Sequence, residues 1–129
     1  MNRRSLWVLC GLVLLGAGLI AASQADLTGT WLGSTQVPNV GEDKITLVLK
    51  RDAGAYGGIV SDTAGLVAEQ AIRNVTFEAG VLAFDITVND GSATFSVHIA
   101  VKIDGDKMTG AWSTEEGQSA EITLARKVG

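Results

Sequence analysis

The sequence predicts an all-β fold: an eight-stranded antiparallel up-and-down β-barrel, a meander, preceded by a cleavable N-terminal signal helix. Three observations carry this expectation. Apolar and polar residues alternate with period two through successive runs between positions 27 and 127, and no apolar stripe of helical period interrupts them. The runs are separated by short glycine-bearing turns. The pattern Gly-x-Trp recurs near both ends, in Thr28-Gly29-Thr30-Trp31 and Thr109-Gly110-Ala111-Trp112, as expected of matching strands in a sheet that closes on itself.

The N-terminal segment is read apart from the fold. Arg3 and Arg4 precede an apolar run from 6 to 22, and Ser23-Gln24-Ala25 offers small residues ahead of Asp26. This is the layout of an export signal, 1–25, cut after Ala25. The run is slightly shorter than the ~20 residues of a spanning helix, and an uncleaved anchor is the alternative. Cys10, the only cysteine, lies inside it, so the exported chain is expected to carry no thiol and no disulfide.

A single domain, 26–129, remains. Of 10 Lys plus Arg, two lie in the leader, which leaves 8 against 14 Asp plus Glu and a net charge of −6. Such an acidic balance argues against nucleic acid as a partner. With the leader removed, no membrane segment is expected, and a monomer in the periplasm or outside the cell is.

The eight runs are 27–36, 44–51, 55–61, 71–77, 81–88, 93–103, 107–114 and 119–127. The first pairs Gly29 with Trp31 on one face. In the second, Ile45, Leu47 and Leu49 share a face; the third, Ala55-Tyr56-Gly57-Gly58-Ile59-Val60-Ser61, is assigned with Ile59 and Ser61 inward. The fourth puts Arg73 on the face of Val75 and Phe77. Leu82, Phe84, Ile86 and Val88 define the fifth, and Phe95, Val97, Ile99, Val101 and Ile103 the sixth. The seventh carries Met108, Gly110 and Trp112, the eighth Ile122, Leu124 and Arg126. Turns such as Asp52-Ala53-Gly54, Glu78-Ala79-Gly80 and Asp104-Gly105-Asp106 reverse direction at low steric cost.

Eight strands in one layer leave two open edges, and closure removes both. A two-sheet sandwich satisfies the same alternation and is the structural alternative. In the barrel, the turns at 52–54, 78–80 and 104–106 share an end with both termini. The longer connections at 37–43, 62–70, 89–92 and 115–118 form the other end, the expected mouth.

Gly29-x-Trp31 on a first strand, a meander, and Arg126 near the end of the last strand resemble the calycin pattern of lipocalins, fatty-acid-binding proteins and avidin relatives. The resemblance implies that Trp31 packs against Arg126 at a closed end while the opposite mouth admits a small, usually apolar, ligand. The further lipocalin motifs, the following helix and a disulfide are missing, and the chain looks closer to compact glycine-rich β-domains of exported bacterial proteins. It is also similar to small periplasmic metalloprotease inhibitors, which carry a disulfide that this chain cannot make.

Large inward residues are expected near the closed end, where Gly29, Trp31, Trp112 and Arg126 form the structural set. Toward the mouth the inward residues shrink or turn polar, and Thr35, Ser61, Arg73, Phe95 and Thr114 are the candidate ligand contacts, with Arg73 as a partner for a carboxylate. A fully packed, tapered barrel with Arg73 reaching to water is the alternative. The mouth segments carry Glu42, Asp43, Asp62, Glu69, Asp90, Glu115 and Glu116, opposed by Lys44 and Arg73, a polarity that would attract a cationic partner. His98 and Asp85 fall on the solvated face, and no nucleophile with a base or metal-ligand spacing is found, so no catalytic residue, metal or cofactor is expected. Two functions follow: binding of a small apolar or amphipathic molecule, or a protein-interaction or protease-inhibitor role of the mouth loops around a packed core.

Overall fold

The computed structural model describes residues 26–128; the expected signal helix and Cys10 lie outside the described residues. Alternation sorts each strand into a dry and a wet side. Leu82, Phe84, Ile86 and Val88 are buried along one strand and Val97, Ile99 and Val101 along the next, while Asp85 and His98 sit between them on the outer face. Each such burial removes apolar surface from water at a gain of about 1.5–3 kcal/mol, which is what holds a sheet with one solvated face.

Nine strands form one antiparallel sheet: β1 (Gly29–Val37), β2 (Gly41–Asp52), β3 (Ala55–Asp62), β4 (Gln70–Ala71), β5 (Arg73–Glu78), β6 (Val81–Asn89), β7 (Thr94–Asp104), β8 (Lys107–Thr114) and β9 (Ser119–Arg126). Their order is β4-β3-β2-β1-β9-β8-β7-β6-β5, so the first and last long strands pair, with Trp31 opposite Arg126 and Thr35 opposite Ile122. The sheet curls into a nearly closed barrel. The expected eight strands become nine because the run 71–77 divides at Ile72.

That division is how the barrel approaches closure. Gln70 and Ala71 pair with Val60 and Ile59 of β3, whereas Arg73 to Glu78 pair with β6. Ile72 donates its N–H to the Gly58 carbonyl at 3.0 Å and is itself buried. The Gln70 side chain crosses to β6, where Nε2 donates to the Thr87 carbonyl at 2.7 Å and Oε1 accepts from the Thr87 N–H. A primary amide thus takes the place of a peptide unit in the ladder, satisfying a donor and an acceptor that an edge strand would leave open.

The two Gly-x-Trp copies need glycine for different reasons. Gly29 has φ +129°, a backbone conformation that favours glycine, at the point where the chain enters β1. At Gly110 the reason is proximity: an added Cβ would stand 1.9 Å from the Ala100 carbonyl oxygen of β7.

The closed end is filled from the N-terminal side. Leu27 is fully buried; its N–H donates to the Tyr56 hydroxyl at 3.0 Å and its carbonyl accepts from Trp31 Nε1 at 3.0 Å. Arg126 lies over the Trp31 ring at 4.4 Å from the centroid, and its three nitrogens donate to Thr28 O at 2.6 Å, Asp26 O at 2.9 Å and Asp106 Oδ1 at 2.9 Å. Leu47, Leu49, Leu82, Phe84, Met108 and Leu124 complete this half of the core.

Candidate functional site

Above that packed half, a cavity of about 230 Å³ opens at the mouth. Its walls come from strands around the barrel, including Ile86 and Val88 of β6, Val97 and Ile99 of β7 and Trp112 of β8. Its rim comes from the mouth connections, through Pro38, Asn39, Val40, Leu66, Val67, Asp90 and Gln118. A cleft of about 370 Å³ beside Tyr56 and Phe77 and an outer groove of about 260 Å³ beside His98 also indent the surface. Neither gathers walls from so many elements, and neither holds a buried polar side chain.

The mouth cavity holds two. Thr35 and Asp43 are the buried polar residues among the described ones, and both line it. They face each other across the β1–β2 ladder. Thr35 Oγ1 donates to the Glu121 carbonyl at 2.6 Å and accepts from Trp112 Nε1 at 2.8 Å, so this hydroxyl fixes the indole that forms part of the wall.

Asp43 is 2% exposed and sits against Asp62, with which its carboxyl shares a hydrogen bond. Burial and then the neighbouring carboxyl push it up from 3.8 to about 6, against the opposing N–H donors of Ala64 and Thr63. The pair organises the connection between β3 and β4. Ala64 N–H donates to Asp43 Oδ1 at 3.0 Å, while Leu66 and Val67 N–H donate to the Asp62 oxygens at 3.1 and 3.0 Å. Asn89 N–H reaches the Leu66 carbonyl at 3.0 Å and ties the connection across to β6. Leu66 and Val67 are thereby set over the cavity.

Of the five ligand contacts expected from the sequence, Thr35 and Phe95 line the cavity; Ser61, Arg73 and Thr114 do not. Arg73 is on the outer face, donating to Thr87 Oγ1 at 2.9 Å and Ser96 Oγ at 3.4 Å. The cause is a bulge: three steps from Arg73 to Thr76 match two from Asp85 to Ala83, and Asn74 has φ 52°. One extra residue reverses the parity that placed Arg73 with Val75 and Phe77. Ser61 falls outside because β3 turns Val60 inward and leaves Ile59 42% exposed, the opposite of the assigned face. Thr114 lies beside the outer groove with Ser113 and Glu115, its N–H donating to the Gln118 carbonyl at 2.9 Å.

Within the closed-end set, Gly29, Trp31 and Arg126 lie together, and Trp112 does not join them. Trp112 opposes Ile99 and Ala120 and forms part of the cavity wall. It stands five residues into β8, about 17 Å along the strand at ~3.3 Å per residue. Trp31 comes only two residues after Gly29. On the outer face, Asp85 Oδ1 meets His98 Nδ1 at 2.7 Å and Asp85 Oδ2 accepts from Asn74 Nδ2 at 2.9 Å; Asn74 and His98 hold the Asp85 carboxyl below its usual range.

Asp43, expected only as one of several acids of the mouth segments, is the buried acid of the site. The signal was present: the inward set Leu49, Leu47, Ile45, extended by two, lands on Asp43. Neither a protein-family model, nor a curated protein, nor a solved structure matches this chain.

Proposed function

We propose that this chain is an exported calycin-like barrel domain that binds one small apolar or amphipathic molecule in its mouth cavity. The observation that carries this is the cavity itself: about 230 Å³, walled by apolar side chains and holding both buried polar residues. Its size exceeds a cavity of ~150 Å³ known to take up a benzene-sized guest, and few, fixed polar groups in an apolar hollow are what orients a small ligand. The packed half beneath it, sealed by Leu27, Trp31 and Arg126, supports binding from the mouth only.

Native mass spectrometry of the protein taken from its exported compartment tests the reading. A bound species of small-molecule mass, released by heating or by organic solvent, is expected. A ligand-free protein that also leaves Trp112 fluorescence unmoved by a panel of small amphiphiles would remove the carrier role.

A second reading, a protein-interaction role of the mouth, is favoured by Val40, which is 51% exposed at the β1–β2 turn beside the acidic rim. Co-purification of a protein whose retention is lost on Val40→Asp would support it.

A further inference from the structure

The two kinds of chemistry at the cavity are unevenly supplied. Two carboxylates line it, Asp43 and Asp90, and no Lys, Arg or His does. Asp90 accepts at Oδ1 from the N–H groups of Ser92 and Ala93, both at 2.9 Å, and from the Ser92 hydroxyl at 2.9 Å. These donors stabilise its charged form. Asp43 has Asp62 against it, and the groups meeting that pair are neutral amides of Thr63, Ala64, Leu66 and Val67. Arg73, the cation expected to reach the mouth, is held on the outer face by Thr87 and Ser96.

A buried carboxylate such as Asp43 is ordinarily matched by a cation, because desolvation makes an unopposed negative charge costly, and the exposed Asp90 adds like charge at the rim. Here the matching charge has no source within the cavity lining. The wall residues supply the other half of the specification: Ile86, Val88, Val97, Ile99 and the Trp112 indole present an apolar and partly aromatic surface below the acidic rim. An ammonium group would find opposite charge at the rim, and an indole face favours cations as well. A carboxylate ligand would meet Asp43 and Asp90 with nothing to offset the repulsion.

We propose that the mouth cavity is selective for organic cations: an amine or quaternary ammonium carried on an apolar body, with the charged nitrogen at Asp43 and Asp90 and the body against Trp112. The proposal rests on the reading of this cavity as a small-molecule site and names the chemical class it takes.

Three probes of one chain length separate the two claims: octylammonium, octan-1-ol and octanoate, titrated into the exported protein at neutral pH and low salt, with calorimetry and Trp fluorescence as readouts. Octylammonium is expected to bind about tenfold or more tightly than octanol, with octanoate weakest, and the preference should shrink with added salt. Asp43→Asn, which keeps the shape and an acceptor for Ala64 N–H, should bring the amine to within about threefold of the alcohol. Asp90→Asn, at the exposed rim, gives a smaller loss of preference and serves where the first variant fails to fold. Equal binding of amine and alcohol by the unaltered protein, or preference for octanoate, overturns the cation proposal and leaves the small-molecule site standing. Binding of none of the three overturns both.

Discussion

The Arg126 guanidinium lies over the Trp31 indole, its central carbon 4.4 Å from the ring centroid, while its nitrogens reach the backbone carbonyls of Thr28 and Asp26. One side chain from the last strand thereby fixes the segment ahead of the first. Arg126→Ala removes the stack and charge-assisted hydrogen bonds together, and a loss of about 2–4 kcal/mol in urea unfolding is expected. Arg126→Lys cannot serve several acceptors with one planar fork and should recover only part of it. Asp106, with its side chain 74% exposed, contributes little through its ion pair, so Asp106→Asn should stay within about 0.5 kcal/mol. Equal losses for the Asp106 and Arg126 variants would mean that the surface ion pair, and not the stack and carbonyl contacts, secures this end.

The seam gives a second prediction. Gln70 bonds both backbone groups of Thr87, so Gln70→Ala opens a donor and an acceptor at once and should cost about 1–3 kcal/mol. Hydrogen exchange localises the effect: the Thr87 amide should lose protection more than the amides of β8 and β9. In Gln70→Glu the acceptor remains, but a carboxylate oxygen faces the Thr87 carbonyl where a donor stood. That variant should therefore be weaker at pH 7 than at pH 4, where a protonated acid can donate again.

Much of this architecture was legible in the chain. Alternation located the strands, and counting reversals put both termini and Arg126 at one end, beside Trp31. What the sequence concealed were events that change parity or height without changing residue type. The extra residue between Arg73 and Thr76 left the apolar pattern of Val75 and Phe77 intact while turning Arg73 outward. Gly57 and Gly58 gave β3 no side chain by which to choose a face, and Val60 rather than Ile59 took the interior. Similar spacing made Trp31 and Trp112 look equivalent, although one follows directly on the start of its strand and the other lies far along it. Asp43 is the reverse case: its charge grouped it with the acids of the mouth segments, while its period with Ile45 and Leu47 said interior.

Thr35 tests whether the cavity wall depends on one hydroxyl. Thr35→Val keeps the volume but leaves Trp112 Nε1 without its acceptor and the Glu121 carbonyl without its donor. Buried groups left unpaired cost about 1–3 kcal/mol, and the indole should become more mobile. Thr35→Ser should keep both bonds and most of the stability. Trp fluorescence anisotropy and thermal unfolding distinguish the two, and a Val variant as stable and as rigid as the Ser variant would show that the wall is held by packing alone.

Asp43 sets the pH dependence. Its carboxyl, pushed up to about 6 by burial and by Asp62, holds a proton in the folded state that the unfolded chain has lost above 3.8. Between those values the folded protein binds more protons, so stability falls as pH rises through the window, and the loss is complete above it. The groups facing the carboxyl do not reverse this sign: Asp62 is like-charged, Asp90 across the cavity is held ionised by Ser92 and Ala93, and Glu42 and Lys44 lie on the outer side of β2. Asp43→Asn removes the charge without moving the acceptor for Ala64, and should raise stability at pH 7.5 by about 1–3 kcal/mol while changing little at pH 4. For a domain of this size that is a rise in melting temperature of several degrees, about 4–8 °C per kcal/mol. A saturating organic cation should stabilise the unaltered protein most at the higher pH, where Asp43 is charged. Destabilisation by Asp43→Asn at both pH values would mean that the hydrogen bonds of the carboxyl pair hold the connection between β3 and β4 together, and that its repulsion is not the controlling effect.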